Sequence, residues 1–366
     1  MMLLVNASNL YIGGGLQVGV SVIEEFTALK VNFIAAVSPP IFEQLSGQSR
    51  ELCEVIESTP SGIFNFSARK KLDDLVKKHH IIDVFTVFGP SYWNPKVKNH
   101  LVGFAQAWLI YDTSLIFKKL LLKDKIKILI LSFVQPYFFK HNSTKLVTET
   151  DDVKLHVRET FNIVAENVFT ISNTVSAVFY DPNNFDREIL TRLPKKNDDI
   201  WLLTISHDYP HKNLGIITEL IKVLPSRYKF ILTVGDEFKE RIPLALKNRV
   251  ITLGKVNSTQ CPPLYQVCDA LFLPTLLECF SASYVEAMYM EKTIFTSDRD
   301  FAKTICGEAA YYFDPLDSIN IAKTISQAYL NFSLMDEKRL IGKEIISKLP
   351  LARERAEGYL SILYGN

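Results

Sequence analysis

The sequence lacks the cysteine spacing of a disulfide-bonded or zinc-binding protein. Its cysteines are an odd number without a C-x-x-C pair, and they stand at Cys53, Cys261, Cys268, Cys279 and Cys306. Neither a disulfide framework nor a zinc ribbon is therefore expected to hold the fold together. Free thiols persist in reducing compartments, so we predict a cytoplasmic protein.

An excess of charge of one sign is also missing. The chain carries 41 Lys and Arg residues against 40 Asp and Glu residues, for a formal net charge of +1 at pH 7. This balance argues against a basic protein that coats a polyanion, so we expect no nucleic-acid partner. A hydrophobic content of 48% is typical of a globular protein. The length of 366 residues favours two domains over one.

Long uncharged apolar runs are absent, and no stretch approaches the roughly 18–20 residues of a membrane span. The N-terminus has no basic n-region and only a short apolar run, so we interpret it as a first strand. The nearest candidate for a membrane segment is residues 115–139, which five lysines interrupt. It is either a peripheral helix at the inner face of a membrane or a core helix with a solvated lysine face.

Short β-branched runs alternate with amphipathic stretches along the whole chain. The predicted strands are Leu3–Ala7, Val31–Val37, Ile82–Phe88, Leu101–Ala105, Leu146–Thr148, Val168–Ile171, Trp201–Ser206, Phe230–Val234, Val250–Leu253, Ala270–Leu273, Thr293–Thr296 and Tyr311–Phe313. Helical patterns lie between them, for example over Gly215–Leu224 and Ile319–Leu330. This order predicts an α/β protein with parallel, doubly wound sheets.

A polar segment with two prolines and no helical or strand period divides the chain. We predict an N-terminal Rossmann-like domain over 1–180, a linker over 181–199 and a C-terminal Rossmann-like domain over 200–350. Residues 351–366 have helical spacing and can pack back on the first domain. Two such domains face each other across a cleft at the carboxyl ends of their strands, where ligands bind.

Two segments that follow predicted strands carry groups suited to an anion. The first is a glycine loop before a helix, formed by Gly13, Gly14 and Gly15, and its alternative is a plain strand-to-helix turn. The second is residues 207–213, in which Lys212 can meet a phosphate oxygen. His207 and His211 have a metal-like i, i+4 spacing, but Pro210 between them argues against a shared helix.

A third segment holds two carboxylates between a predicted strand and helix. Glu278 lies in the loop, and Glu286 lies eight residues later in the helix. Backbone N–H groups at a helix start can hold an anion, and a carboxylate beside them can bind sugar hydroxyls. From spacing alone, the alternative is that Glu286 solvates the helix and Glu278 caps it.

This third segment resembles the E-x₇-E signature of the retaining glycosyltransferases of family 4 (glycosyl transferases group 1), which have the GT-B fold. Downstream, residues 296–298, Phe301 and residues 305–315 are similar to the family's sequence, and residues 210–214 resemble its phosphate-binding turn. Gly13 to Gly15 resemble its N-terminal glycine loop. The resemblance is specific over about residues 200–330 and thinner before them.

The resemblance implies roles for the matched positions. Glu286 would hold the nucleotide ribose, and Glu278 would contact the donor sugar beside the backbone N–H groups of Phe280 and Ser281. Lys212 would neutralise the diphosphate leaving group together with the glycine loop. Positive groups fixed at that oxygen lower the barrier, because the transition state resembles an oxocarbenium ion leaving a diphosphate. Such enzymes usually need no metal, so no cofactor is expected beyond a UDP- or GDP-linked donor.

The chain departs from the family pattern at several positions. His207 replaces an arginine, although an imidazole near a diphosphate can stay protonated. Gln106 stands where many members have a histidine near the donor sugar; it can bind a hydroxyl but cannot carry a proton. Asp298 and Asp300 form an Asp-x-Asp pattern that binds metal in another glycosyltransferase fold, but at a helix start an aspartate is commonly a cap.

These features predict a retaining hexosyltransferase that moves a sugar from a nucleotide-diphosphate donor to a glycan or lipid-linked acceptor, as in O-antigen or capsule synthesis. Glu278, Lys212 and Gln106 are the expected catalytic residues. One alternative is a catalytically weak nucleotide- or glycan-binding partner in a polysaccharide complex, and another is a sugar-nucleotide epimerase of similar fold. Tyr92 and Trp93, in the first-domain loop 89–98, either stack on the acceptor or serve only for packing.

Overall fold

The computed structural model describes residues 2–62 and 64–365, with Lys119 described only in its backbone. Two compact units make up the chain. The first contains the residues up to Asp112, Leu121–Thr174 and the residues from Pro350 onward. The second contains Thr113–Leu120 and Val175–Leu349.

Strands and helices alternate in both halves of the chain. Up to residue 170 the elements are β1 (Leu3–Ala7), α1 (Gly13–Ala28), β2 (Phe33–Val37), α2 (Pro39–Phe42), α3 (Gly47–Arg50), β3 (Cys53–Val55), α4 (Phe66–Lys78), β4 (Asp83–Thr86), β5 (Asn99–Gly103), α5 (Ser114–Lys119), α6 (Leu122–His141), β6 (Lys145–Thr148), α7 (Asp151–Phe161) and β7 (Val168–Thr170). The elements after it are β8 (Ile200–Thr204), α8 (Ile217–Val223), β9 (Tyr228–Leu232), β10 (Val250–Thr252), α9 (Cys261–Val267), β11 (Ala270–Leu273), α10 (Ala282–Tyr289), β12 (Thr293–Ser297), α11 (Asp300–Cys306), β13 (Ala310–Phe313), α12 (Ser318–Ala328), α13 (Phe332–Ser347) and α14 (Ala352–Tyr364).

The first unit is built on a seven-stranded parallel sheet in the order β3-β2-β1-β4-β5-β6-β7. Successive residues of β1 enter different cores, because strand side chains alternate between faces. Leu3 and Val5 pack in one hydrophobic cluster, and Leu4 packs in another. Helices cover both faces, which is why these strands have continuous apolar sequences.

The second unit is built on a six-stranded parallel sheet in the order β10-β9-β8-β11-β12-β13. It has the same two-sided core, with Leu271 in one cluster and Phe272 in the other. The chain runs outward from β8 to β10 and returns to β11, so the strand order reverses between β8 and β11. Ligands bind beside such a reversal in open α/β sheets. These two sheets confirm the predicted fold class.

Several predicted boundaries differ from the structure. The unit boundary follows Thr174, and residues 181–199 belong to the second unit, where Pro182–Asn184 and Arg187–Arg192 form 3₁₀ helices. Ile189 is buried in the core there, which a polar sequence without a regular period does not reveal. Thr113–Leu120 also belongs to the second unit, in which α5 contacts the turn Pro210–Lys212.

The C-terminal helix α14 packs within the first unit against α1. Arg355, on this helix, is only 3% exposed. Its guanidinium donates one hydrogen bond to Ser21 Oγ at 2.7 Å and another to Asn173 Oδ1. Asn173 Nδ2 in turn donates to Glu149 Oε1 at 2.8 Å. This network fastens the end of the chain to the first sheet's helices and strand ends.

Replacing Arg355 with methionine should lower the free energy of unfolding by about 2–3 kcal/mol, because buried polar partners lose a charged donor. Urea unfolding measures this loss. Arg353→Met is the matched control, since Arg353 is exposed and pairs with Glu357 at the surface; its effect should stay below about 0.5 kcal/mol. Equal effects of the two substitutions would contradict the role of the buried network.

Candidate functional site

Two loops at the carboxyl edge of the second sheet hold half of the predicted site residues. One loop follows β8 and contains the 3₁₀ helix Pro210–Lys212, and the other joins β11 to α10. Because β8 and β11 are parallel neighbours, both loops leave the same edge of the sheet. The structure therefore brings Lys212 and Glu278 together although 66 residues separate them.

The main-chain carbonyl of His211 ties the two loops to each other. Leu276 N donates to this oxygen at 2.7 Å, and the hydroxyl of Thr275 lies 3.1 Å from it. The same hydroxyl lies 3.0 Å from Glu278 Oε1, and Thr275 is completely buried. These contacts fix the backbone segments that precede Lys212 and Glu278.

Lys212 and Glu278 form an ion pair through Nζ and Oε1. Their side chains are only 16% and 11% exposed, so water screens the pair less than at the open surface. An ammonium has three donors, and one carboxylate oxygen occupies one of them. The remaining N–H groups can bind an anionic oxygen without leaving Glu278.

Asn213 holds the turn that presents Lys212. Its backbone is in the left-handed region with φ 56°, which asparagine tolerates better than most residues. Its side-chain Nδ2 donates to the carbonyl oxygen of Pro315 at 2.7 Å, and the residue is buried. The loop after β8 is thereby fastened to the loop after β13 as well as to that after β11.

The two histidines of this loop are neutral near pH 7. Burial lowers the pKa of His211 to about 4, with Glu278 opposing and Lys212 adding to the shift. Burial, Lys212 and Lys255 lower the pKa of His207. In the protein without a bound ligand, His207 therefore does not supply the positive charge that an arginine at this position would carry. The rings of His207 and His211 flank Tyr209, at 5.5 Å and 5.7 Å between ring centroids.

Glu286 lies on α10, where its carboxylate accepts a hydrogen bond from the Tyr265 hydroxyl at 3.1 Å. Ser283, one turn earlier, donates to the carbonyl oxygen of Ile205 at 3.2 Å, which fixes α10 to the end of β8. The pKa of Glu286 is raised to about 7 because burial disfavours the charged carboxylate, and the hydrogen bond from Tyr265 only partly opposes this effect. The carboxyl group consequently changes its charge near neutral pH.

Phe280 and Ser281 stand at the start of α10. Ser281 is the N-cap residue and is buried, but its side chain makes no capping hydrogen bond. Phe280 is half-buried and packs against the core. The first amides of a helix have no intrahelical acceptor, so they remain suited to an anion or a sugar oxygen.

Metal-binding groups do not converge in the described part of the chain. No cluster of three or more His, Cys, Asp or Glu side chains is found in residues 2–62 and 64–365. Asp298 instead pairs with Lys303 at 2.5 Å, and Asp300 is the first residue of α11. The Asp-x-Asp pattern thus stands at a helix start.

The other predicted residues belong to the first unit. Gly13 has φ 74°, a value that suits glycine. Gly13, Gly14 and Gly15 form the start of α1, and no side chain of the described residues caps this helix. Gln106 follows β5, and its Nε2 donates to the carbonyl oxygen of Gly89 at 3.4 Å. Both places lie after strand ends of the first sheet.

The structure decides the role of Trp93, one of the two aromatic residues in loop 89–98. Trp93 is 3% exposed, and its Nε1 donates to Asp73 Oδ1 at 2.8 Å. The ring of Tyr92 packs on Phe138 at 4.7 Å between centroids, and its hydroxyl accepts from Gln135. Trp93 therefore serves for packing, and stacking of its ring on a sugar is excluded.

Sequence reasoning missed three residues that support the site. Thr275 contacts Glu278, and Tyr265 contacts Glu286. The third is Asn213, whose contact with Pro315 was not predicted. The position of Thr275, three residues before Glu278, was a weak signal for their contact. Tyr265 and Pro315 reach their partners only through the fold, so the sequence carried no signal for them.

Comparison with known proteins agrees with this geometry. Residues 185–341 match the family model described as Glycosyl transferases group 1. An O-antigen chain mannosyltransferase, RfbU of Salmonella typhimurium, is 24% identical over 199 residues. That alignment covers 51% of this chain and 53% of the relative, so the chain spans about half the length of the curated relative that it matches.

Solved structures match over the whole chain. Anabaena Alr3699/HepE in complex with UDP and glucose has a TM-score of 0.74 at 15% identity, and 100% of each chain is covered. WaaG, a glycosyltransferase involved in lipopolysaccharide biosynthesis, has a TM-score of 0.75 at 14% identity with the same coverage. At such identities the likeness shows the fold, which is that of GT-B glycosyltransferases. The part of the chain that carries the motifs, residues 185–341, is the part that is similar to glycosyl transferases group 1.

The Asn213 turn generates a stability prediction. Asn213→Ala should lower the free energy of unfolding by about 2 kcal/mol, because alanine disfavours the left-handed backbone and leaves the Pro315 carbonyl without its donor. Asn213→Gly should lower it by about 1 kcal/mol, since glycine relieves the backbone but not the lost hydrogen bond. Urea unfolding compares the two variants. An alanine variant as stable as wild type would contradict the assigned role.

Proposed function

We propose that this chain is a retaining glycosyltransferase that moves a hexose from a nucleotide-diphosphate donor to a hydroxyl of a glycan or lipid-linked acceptor. The observation that supports it best is the Lys212–Glu278 pair at the reversal of the second sheet, with Glu286 on the adjacent helix. Surface-polysaccharide synthesis, such as that of O-antigen, is the proposed setting because of the names of RfbU and WaaG.

In the proposed reaction the bond between the anomeric carbon and the diphosphate oxygen breaks. A bond to the acceptor oxygen forms, and the proton of the acceptor hydroxyl passes to the oxygen of the leaving diphosphate. Negative charge grows on the leaving diphosphate, so the ammonium of Lys212 stabilises the transition state more than the ground state. Glu278 holds the lysine and offers its free oxygen to the donor sugar, next to the amides of Phe280 and Ser281.

Glu286 is proposed to accept hydrogen bonds from the ribose hydroxyls of the nucleotide. In the first unit, the opening amides of α1 at Gly13 to Gly15 are proposed for the diphosphate and Gln106 for a sugar hydroxyl. The backbone amides and Gln106 do not take up a proton at pH 7, so the leaving diphosphate is the proposed proton acceptor. The chemistry proposed therefore rests on charge and positioning rather than on a general base.

Donor binding tests this assignment directly. Lys212→Met should weaken binding of GDP-mannose or UDP-glucose, whichever the wild-type protein binds, by about 10- to 100-fold, the loss expected for one charged hydrogen bond. Calorimetry measures the affinity. Lys222→Met is the matched control, because Lys222 is an exposed lysine that pairs with Glu219 on α8. A Lys212 variant with wild-type affinity would refute the proposed role.

Turnover separates the enzyme from its alternatives. Product analysis with acceptor should give a glycoside that retains the donor's anomeric configuration. Nucleotide binding without any transfer would instead favour a catalytically weak binding partner. The neutral His207 and Gln106 are the observations that favour this alternative function. Conversion of the donor in the absence of acceptor would favour an epimerase.

The pKa of Glu286 gives a pH dependence with a defined sign. Only the ionised carboxylate accepts two ribose hydrogen bonds, so affinity for a nucleotide sugar should rise about tenfold between pH 6 and pH 8. Calorimetry across this range measures the slope. Glu286→Gln should bind weakly with no such rise. Protonation of His207 would strengthen anion binding at low pH, so a slope of the opposite sign would contradict the assignment.

A further inference from the structure

Helix α6 exposes one apolar face. Large hydrophobic side chains recur on it at spacings of three and four residues, which places them on one side of the helix. Phe133 is the most exposed, at 83%. We call this set the α6 face, and it consists of Leu122, Ile126, Leu129, Ile130, Phe133 and Tyr137.

Contacts on the opposite side of the helix fix the direction of the α6 face. Phe139 is completely buried and packs on Phe104 and Phe161, with centroid distances of 5.0 Å and 5.7 Å. Phe138 packs on Tyr92. The buried packing of α6 on the first unit therefore involves the inner side of its C-terminal part, and the α6 face lies on the opposite, exposed side.

Lysines border the α6 face. Three stand in the first two turns of the helix and one stands in its last turn, namely Lys123, Lys125, Lys127 and Lys140. Asp124 is the one acidic residue of the helix. Because the whole chain has a net charge of only +1, α6 concentrates positive charge beside its apolar surface.

We propose that the α6 face docks on an anionic lipid bilayer, with the helix lying in the plane of the interface. This inference rests on the proposed function and deepens it, because a lipid-linked acceptor presents its sugar at a membrane surface. Apolar and aromatic side chains enter the acyl boundary while lysines contact anionic headgroups. None of the helices in the described ranges is long and apolar enough to cross a bilayer.

Charge selects the bilayer over a second copy of this chain. Two α6 faces packed on each other, in either direction, would bring lysines of one helix against lysines of the other, with only Asp124 to compensate. Like charges in contact disfavour association. An anionic surface instead complements every lysine at once, and α6 is about 30 Å long, so the contact extends along a flat surface.

Co-sedimentation with vesicles tests the inference. Wild-type protein should bind vesicles of phosphatidylglycerol and phosphatidylcholine and should bind pure phosphatidylcholine at least about tenfold more weakly. Phe133→Asp should reduce binding to the anionic vesicles about tenfold or more. The triple variant Lys123→Gln, Lys125→Gln, Lys127→Gln should lose the preference for anionic lipid.

Matched controls lie on other surfaces. Phe332→Asp alters an aromatic side chain that is 65% exposed on α13, and it should leave vesicle binding unchanged. Lys70→Gln, Lys71→Gln, Lys77→Gln removes the same charge from exposed positions on α4 of the first unit. Equal loss of binding in these controls would overturn the assignment to the α6 face.

Two further outcomes would refute the inference. Wild-type protein that does not sediment with anionic vesicles contradicts it. So does a wild-type dimer in light scattering that Phe133→Asp converts to monomer, because a second copy then covers the face. Nucleotide-sugar affinity distinguishes this failure from failure of the proposed function, since the α6 variants should bind the donor as tightly as wild type whatever the vesicles show.

Discussion

The carbonyl oxygen of His211 accepts a hydrogen bond from the backbone of Leu276 and lies beside the hydroxyl of Thr275. Through this one oxygen, a loop that leaves β8 and a loop that leaves β11 become a single surface. The parallel sheet makes the contact available, because the strand order reverses between these two strands. This contact helps to hold the backbones from which Lys212 and Glu278 pair.

The ion pair also explains how a largely buried lysine is kept ready for an anion. A buried charge without a partner is strongly unfavourable, so Glu278 stabilises the ammonium of Lys212. In the proposed function, a diphosphate that binds beside the pair uses the lysine donors that remain. Glu286 is different, because its only side-chain partner among the described residues is neutral Tyr265, and its charge therefore depends on pH.

The sequence predicted the parts of the structure that depend on local pattern. Strand β11 begins and ends where its apolar run does, and the two glutamates follow it as expected. Strand β3 was missed because it has only three residues, of which Glu54 is exposed and the other two are partly buried. The contact of Asn213 with Pro315 joins positions 102 residues apart, and nothing in either neighbourhood signals it. The orientation of α6 was left open for the same reason, since lysines alone do not reveal which face the fold uses.

A crystal structure of the protein with a bound nucleotide sugar tests the central claim most directly. The account predicts diphosphate oxygens within hydrogen-bond distance of Lys212 Nζ and ribose hydroxyls on the carboxylate of Glu286. A nucleotide bound at another place, with the Lys212–Glu278 pair unchanged and no contact to Glu286, would contradict it.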